Sequence, residues 1–258
     1  MSAFPFTSAL VTGASAGIGA EMARQLGEAG VPTVLVARRR ERLEEIASRH
    51  DNFDVLEADL NTAEGLDAVA ERLADTDAPI DLLVNNAGFG TGLPFHEIEA
   101  DRLADEIGLN VTALTVLSNV ALRSMVERGR GYLLNVASVA AFQASPGLAT
   151  YAATKAYVQS LTEALHEEMR PFGVHVSSLC PGLTRTEFQE VSSTEGYIER
   201  IPGLAWTEAD DVARAGLAGV AKNRATIVPG ALYKGAVAVG QVTPRAITRR
   251  IGGLVTRT

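Results

Sequence analysis

The chain has 258 residues, of which 47% are apolar, 21% charged and 5% aromatic, with a net charge of −8. That composition excludes a disordered chain, a collagen and a coiled coil, and the length suits one large domain. The negative charge argues against nucleic acid as a partner, and no uninterrupted apolar run approaches the roughly 18 residues that a membrane span needs.

The N-terminus leads into Ser8-Ala9-Leu10-Val11 without a basic region and a long apolar core, so no secretory signal is expected. Cys180 is the single cysteine. It allows neither an intramolecular disulfide nor a multi-cysteine metal site, and the expected compartment is a reducing cytoplasm.

Short β-branched apolar runs alternate with helical patterns. Strands are predicted at 8–12, 33–37, 53–57, 80–85, 131–137, 174–180 and 226–229, bounded by Gly, Pro or Asn. Helices are predicted at 17–29, 39–49, 62–74, 97–127, 149–170 and 208–222. In the first of these, Ile18, Met22 and Leu26 recur every four residues and make one apolar face. Strand-helix-strand repetition predicts an α/β fold: a single-domain, Rossmann-like, doubly wound parallel sheet of seven strands with helices on both faces. Residues 187–207 break the rhythm and are expected to form an insertion, a candidate substrate lid with Trp206 near its end.

The first strand runs into Thr12-Gly13-Ala14-Ser15-Ala16-Gly17-Ile18-Gly19, and a helix follows. Glycines there let the backbone turn sharply and approach a pyrophosphate, which a helix N-terminus attracts. An ordinary tight turn has the same composition, but the position after the first strand is the context that phosphate binding requires. An acidic residue at the end of the second strand would bind a ribose 2′-hydroxyl and favour NAD. This chain has Ala37-Arg38-Arg39-Arg40 instead. Guanidinium groups suit a phosphate, so the expected cofactor is NADP(H), with Arg38 the principal contact and Ser15 and Arg39 as helpers. Asp59 and Leu60 follow the third strand, near an adenine edge. Asp59 also suits the start of a helix before Asn61 and Thr62. The fourth strand ends in Asn85-Asn86-Ala87-Gly88, small residues of the kind that line a ligand crevice.

The decisive constellation is Ser138 with Tyr151-Ala-Ala-Thr-Lys155. A tyrosine and a lysine four apart share a helix face. A free phenol titrates near 10, and a nearby ammonium lowers it toward useful acid-base chemistry. Ser138 can donate a hydrogen bond to an oxygen that gains charge. A Tyr-x-x-x-Lys pair by itself is an exposed helix pair; beside Ser138 and the glycine loop it is a site.

With these motifs the sequence resembles the short-chain dehydrogenases/reductases over about residues 7–235. The matching segments are TGASAGIG (12–19), NNAG (85–88), Asn110, Ser138, YAATK (151–155) and PGLTRT (181–186). The resemblance implies Tyr151 as proton donor and Lys155 as its activator and a binder of the nicotinamide ribose. It implies Ser138 as polariser of the carbonyl and Asn110 as holder of a water that links Lys155 to solvent. It places Asn86, Ala87 and Gly88 beside the cofactor, and Pro181, Gly182, Thr184 and Thr186 at its nicotinamide end. Many NADP(H) members carry a basic residue inside the glycine loop; this chain has Ala16, which leaves more of the discrimination to Arg38. A finer resemblance runs to bacterial oxidoreductases similar to hydroxysteroid dehydrogenases and 3-ketoacyl reductases, through NNAGFGTGLPF, CPGLTRTEF and a late IVPG.

The expected substrate pocket is apolar: Phe142, Leu148, Leu183, Phe188 and Trp206, with Ser138, Tyr151 and Gln143 as polar members. Such a pocket suits a hydrophobic ketone, aldehyde or alcohol, and about half of the apolar residues near it belong to the core. His50, His96, His166 and His175 lack metal-ligand spacing, and no metal is expected. Cys180 is expected to be a small buried residue.

Charge is unevenly spread. Residues 212–258 carry eight positive and no acidic residues, which leaves −16 in residues 1–211. The basic extension at 231–258 is expected to be a solvated surface, a contact to an acidic face of a second subunit, or a weak contact to an anionic membrane surface. Its glycines and Pro244 argue against a continuous helix. By resemblance, a homodimer or homotetramer packed through helices 97–127 and 149–170 is expected. The rival readings are an NAD(H)-preferring alcohol dehydrogenase, a catalytically silent cofactor-binding sensor or scaffold, and a methyltransferase, in which the Tyr-x-x-x-Lys set has no role.

Overall fold

The computed structural model describes residues 4–192, 203–243 and 249. Seven strands form one parallel sheet in the order β3-β2-β1-β4-β5-β6-β7. They are β1 (Ala9–Thr12), β2 (Thr33–Ala37), β3 (Phe53–Glu57), β4 (Leu82–Asn85), β5 (Gly131–Val136), β6 (Val174–Leu179) and β7 (Thr226–Ile227). All seven lie within the ranges read from the sequence.

Helices cover both faces, so the central strands are apolar on both sides. Ala9 and Val11 of β1 point into one core with Leu82 and Val84 of β4. Helices α1 (Gly17–Glu28) and α8 (Ala209–Ala221) close that core through Met22, Leu26, Val212, Leu217 and Val220. Leu10 and Leu83 point into the opposite core. It is closed by α3 (Ala63–Ala74) and α5 (Leu114–Arg128) through Val69, Leu73, Leu117, Leu122 and Met125. Helix α6 (Ala149–Met169) flanks α5 on this face, and the short α2 (Arg40–Ala47) buries Leu43 in the first core.

The helix read as continuous over 97–127 differs from expectation. It is α4 (Ala100–Ile107), a wider π turn over Gly108–Ala113, then α5. Taken together, Ala100–Arg128 is long and apolar enough to cross a membrane, with a window of mean hydropathy 1.3. Here it lies along the sheet, with Ala113, Leu117, Ala121, Leu122 and Met125 in the core.

A second difference lies in the basic extension. Residues Ala231–Val242 form a helix, α9, in spite of Gly235 and Gly240. Tyr233 anchors its first turn: the hydroxyl donates to Ala205 O at 2.6 Å and accepts from Leu183 N at 3.0 Å. Of the expected insertion at 187–207, residues 193–202 lie outside the described residues. So do 244–248 and 250–258 of the extension. The described part of the insertion includes a single helical turn, α7 (Phe188–Val191).

Candidate active site

The strand order reverses between β1 and β4, and a crevice opens there at the carboxyl ends of the strands. It is a cleft of about 810 Å3 that runs from Arg38 and Arg39 to Ser138 and Tyr151.

One end is built by the glycine turn. Gly13 and Gly17 have φ of +66° and +56°, left-handed values that side chains disfavour. A Cβ on Gly13 would meet Asn86 Nδ2 at 2.8 Å, and one on Gly17 would meet Thr186 Cβ at 3.1 Å. Thr12 Oγ1 accepts from Asn86 N and Ala87 N, both at 3.0 Å, and Asn86 Nδ2 donates to Thr12 O at 3.0 Å. Three motifs distant in sequence are thereby packed into one wall. Helix α1 starts behind this turn with Ala16 at its N-cap, no side-chain cap and no acidic residue in its first turn. Its first amides face the cleft without a competing side chain. Gly19 does not line the cleft. A Cβ there would lie 2.4 Å from Asn86 Nδ2 and 2.4 Å from Gly13 O, so its role is close packing of the turn.

The cationic end follows β2. Arg38 is 71% exposed at its side chain and lies 3.9 Å from Asp59 Oδ2. Arg39 donates to Ser15 Oγ at 3.1 Å and to Glu187 Oε2 at 2.9 Å. Asp59 Oδ1 also accepts from Asn61 N at 3.0 Å. The side-chain cap of α3 is Thr62, whose hydroxyl accepts from Gly65 N. Ile18, Leu60, Ala87 and Gly88 line the middle of the cleft.

The opposite end holds the hydroxyl-bearing residues. Ser138 leaves β5 and caps a turn at Val139–Phe142, where its Oγ accepts from Ala140 N at 3.1 Å. Tyr151 and Lys155 lie on one face of α6. Lys155 Nζ donates to Val136 O at 2.9 Å and lies 5.7 Å from the centre of the Tyr151 ring. Burial pushes the Tyr151 phenol up to about 12, with the Ser138 hydroxyl pulling it back. Burial pulls the Lys155 ammonium down to about 8, opposed by Cys180 and Glu106. These directions follow from desolvation of whichever form is charged.

Asn110 lies in the π turn and behind the cleft wall. Its Oδ1 accepts from Phe89 N at 3.1 Å, and its Nδ2 donates to Phe89 O at 2.7 Å and to Thr154 Oγ1 at 3.1 Å. A Cβ on Gly88 would lie 2.7 Å from Asn110 Oδ1 and 3.3 Å from Lys155 Nζ. Asn110 thus ties the loop after β4 to the helix that bears Tyr151 and Lys155.

A family model described as short chain dehydrogenase matches residues 7–196. The chain belongs to the short-chain dehydrogenase family. Among curated relatives of this short-chain dehydrogenase is gluconate 5-dehydrogenase of Gluconobacter oxydans, 32% identical over 221 residues, covering 80% of this chain and 84% of that protein. Among solved structures, a short-chain dehydrogenase from Sphingobium yanoikuyae in complex with NADPH has a TM-score of 0.81 at 32% identity. It covers 93% of this chain and 97% of its own. A bulky-bulky ketone specific alcohol dehydrogenase from Comamonas testosteroni has a TM-score of 0.77 at 30% identity, with 93% and 96% covered.

In this short-chain dehydrogenase, Gln143, Leu148, Leu183 and Phe188 line the cleft beside Ser138 and Tyr151, and the Phe188 and Tyr151 ring centres lie 5.4 Å apart. Pro181, Gly182, Thr184 and Thr186 line it too. Two expected substrate residues do not. Phe142 packs into a small core with Leu114, Val158 and Cys180. Trp206 lies outside the cleft wall, its ring 5.2 Å from the Arg185 guanidinium. Cys180 is fully buried, and burial pushes its thiol up to about 11. Among the described residues, no cluster of His, Cys, Asp and Glu could hold a metal ion.

The sequence reading missed several members of the wall. Tyr233 and the turn Ala144–Gly147 line the cleft, and Tyr233 lies so close to Gly182 that a Cβ there would meet its ring at 2.2 Å. Behind the site, Asn85 Nδ2 donates to Asn135 Oδ1 and Ser118 Oγ, and Asn135 Nδ2 donates to Thr162 Oγ1, each at 3.0 Å. This buried network joins β4, β5, α5 and α6. The one signal in the sequence was a pair of asparagines in otherwise apolar strands.

Proposed function

We propose that this protein is an NADP(H)-dependent oxidoreductase that interconverts a hydrophobic ketone or aldehyde with its alcohol, with Tyr151 as general acid and base. The observation that carries this reading is the convergence of Ser138, Tyr151 and Lys155 at one end of a cleft whose other end presents Ser15, Arg38 and Arg39. The cleft fits a dinucleotide. Its glycine turn leaves no room for Cβ atoms, the α1 amides lack a side-chain cap, and the two guanidinium groups are held by exposed carboxylates, Arg39 also by the Ser15 hydroxyl. The NADPH complex of the Sphingobium relative supports the same cofactor.

Gly13, Ser15, Gly17 and the first turn of α1 would hold the pyrophosphate, and Arg38 and Arg39 the 2′-phosphate. Asn86, Gly88, Pro181, Gly182 and Thr186 would hold the nicotinamide end, with Tyr151 and Lys155 at its ribose. The bound cofactor supplies or accepts a hydride. The chain does the rest. Ser138 donates a hydrogen bond to the substrate oxygen. Tyr151 gives that oxygen its proton in reduction and takes it back in oxidation. Lys155 stabilises the phenolate left behind, and Asn110 positions a water between Lys155 and solvent. Gln143, Leu148, Leu183 and Phe188 hold the substrate's apolar body and exclude water. The single sheet whose carboxyl ends border the cleft supports one domain, and a lone buried cysteine is in keeping with a reducing cytoplasm.

The experiment is a titration with NADPH and separately with NADH, followed by nicotinamide fluorescence. A hundredfold preference for NADPH, about 2.7 kcal/mol, supports the reading. Equal or tighter binding of NADH overturns the cofactor assignment, and binding of neither overturns the enzyme assignment.

Two surfaces support partners. Ile107, Val116 and Tyr157 are exposed apolar groups on the outer faces of α4, α5 and α6, and they suit a homodimer or homotetramer. Helix α9 exposes Leu232, Val239 and Val242, the last at 83%, and leads into Arg245, Arg249, Arg250 and Arg257. That pairing suits weak contact with an anionic membrane. Co-sedimentation with anionic vesicles should fall when Arg245, Arg249 and Arg250 become Gln; equal pelleting removes this contact.

A further inference from the structure

Glu106 lies in the last turn of α4 with no solvent exposure. Neither of its carboxylate oxygens has a partner within hydrogen-bond geometry. An ionised carboxylate in such a place carries its full desolvation cost unless an opposite charge offsets it. Four groups interact with its charge: the Thr91 hydroxyl, Arg102 of its own helix, and Lys155 and Tyr151 of α6. Arg102 lowers the carboxyl more than Lys155 does, but its guanidinium is shared with other groups. Its Nε donates to Thr91 Oγ1 at 3.2 Å, and its guanidinium lies 4.1 Å from the centre of the Phe89 ring.

Glu106 precedes Asn110 by one helical turn, and Asn110 bonds to Thr154 of α6. Gly88 fits between Asn110 Oδ1 and Lys155 Nζ. The helix face that carries Glu106 and Asn110 is therefore the one turned toward the lysine. The lysine itself donates to a neutral carbonyl, Val136 O.

We propose that Glu106 is the buried counter-ion of Lys155, a positioning residue that keeps the lysine an ammonium and so enables it to act on Tyr151. This rests on the assignment of Lys155 as activator of Tyr151. The other titratable groups that face Lys155 are Tyr151 and Cys180, and burial holds these at about 12 and about 11. Both are neutral near pH 7, which leaves Glu106 as the acidic group able to balance the ammonium. Burial raises the Glu106 carboxyl above its ordinary value, and Thr91, Arg102 and Lys155 oppose that rise without cancelling it. In turn Glu106 is one of the groups that oppose the burial-driven fall of Lys155. Its charge also raises Tyr151, which favours the phenol form that donates a proton.

The chain has three lysines, Lys155, Lys222 and Lys234, so NMR of protein labelled with 13C at the lysine ε-carbon can follow Lys155 without cofactor. Lys155 should titrate near pH 8 in the native protein. In Glu106→Gln and in Glu106→Met it should titrate lower by about one unit or more, with Lys222 and Lys234 unmoved. The alkaline limb of kcat should shift with it. A Lys155 titration that coincides in the native protein and in either folded variant overturns the proposal. So does a native Lys155 already neutral at pH 7, which needs no variant to observe. Failure of the enzyme reading is seen separately, as turnover that survives Tyr151→Phe, and leaves the NMR outcome intact.

Discussion

Arg39 Nη1 lies 2.9 Å from Glu187 Oε2, so a cation at the end of β2 is bound to the segment that follows β6, across the mouth of the cleft. Both side chains are about half exposed, and such pairs contribute only about 0.2–1 kcal/mol. A 2′-phosphate with its larger charge should take Arg39 from Glu187. Glu187→Gln should therefore tighten NADPH by about twofold to fivefold and leave NADH unchanged. Equal effects on both cofactors, by fluorescence titration, would show that Arg39 does not meet the phosphate.

Arg38→Ala should cost more. Its guanidinium is open to solvent, with only a 3.9 Å approach to Asp59, so little has to be broken before it binds a phosphate. Loss of a charge-assisted contact of about 1.5–3 kcal/mol predicts a weakening of NADPH of at least tenfold, with NADH within twofold of its native value. The same titration checks it.

Tyr151→Phe removes the proton donor and keeps the ring beside Phe188. Turnover should fall by at least about 10²-fold, while NADPH binding stays near normal. In the native enzyme, burial holds Lys155 at about 8. A base lowered in this way is charged below that value and neutral above it. Reductive kcat should therefore be steady below pH 8 and fall as the pH rises through it. A flat profile from pH 7 to 10 would contradict the role given to Lys155.

Gly182→Ala should disturb the rim of the cleft, because the new Cβ would lie 2.2 Å from the Tyr233 ring. Overpacking of this kind costs about 1–3 kcal/mol. Thermal unfolding should show the loss, and Tyr233→Ala in the same chain should recover part of it. A pair of substitutions whose effects simply add would mean that the two residues do not press on each other.

Much of this protein was legible in one dimension. Parallel strands buried on both faces are short apolar runs stopped by Gly, Pro or Asn, and β1 to β7 fall where those runs do. The family was legible because its motifs are local: a turn after a strand, and a Tyr and Lys one helical turn apart. Direction and depth were not. Phe142 follows Ser138 by one turn, yet the backbone carries it into the core. Trp206 stacks on Arg185 outside the wall. The π turn that carries Asn110 leaves the apolar period almost unchanged, so the pattern reads as one helix. Helix α9 forms around two glycines because Tyr233 tethers it to Leu183 and Ala205, a long-range contact that outweighs local propensity. Glu106 reads as one acidic residue among many. Only packing against α6 removes it from water, and the loss of water is what makes its charge matter to Lys155.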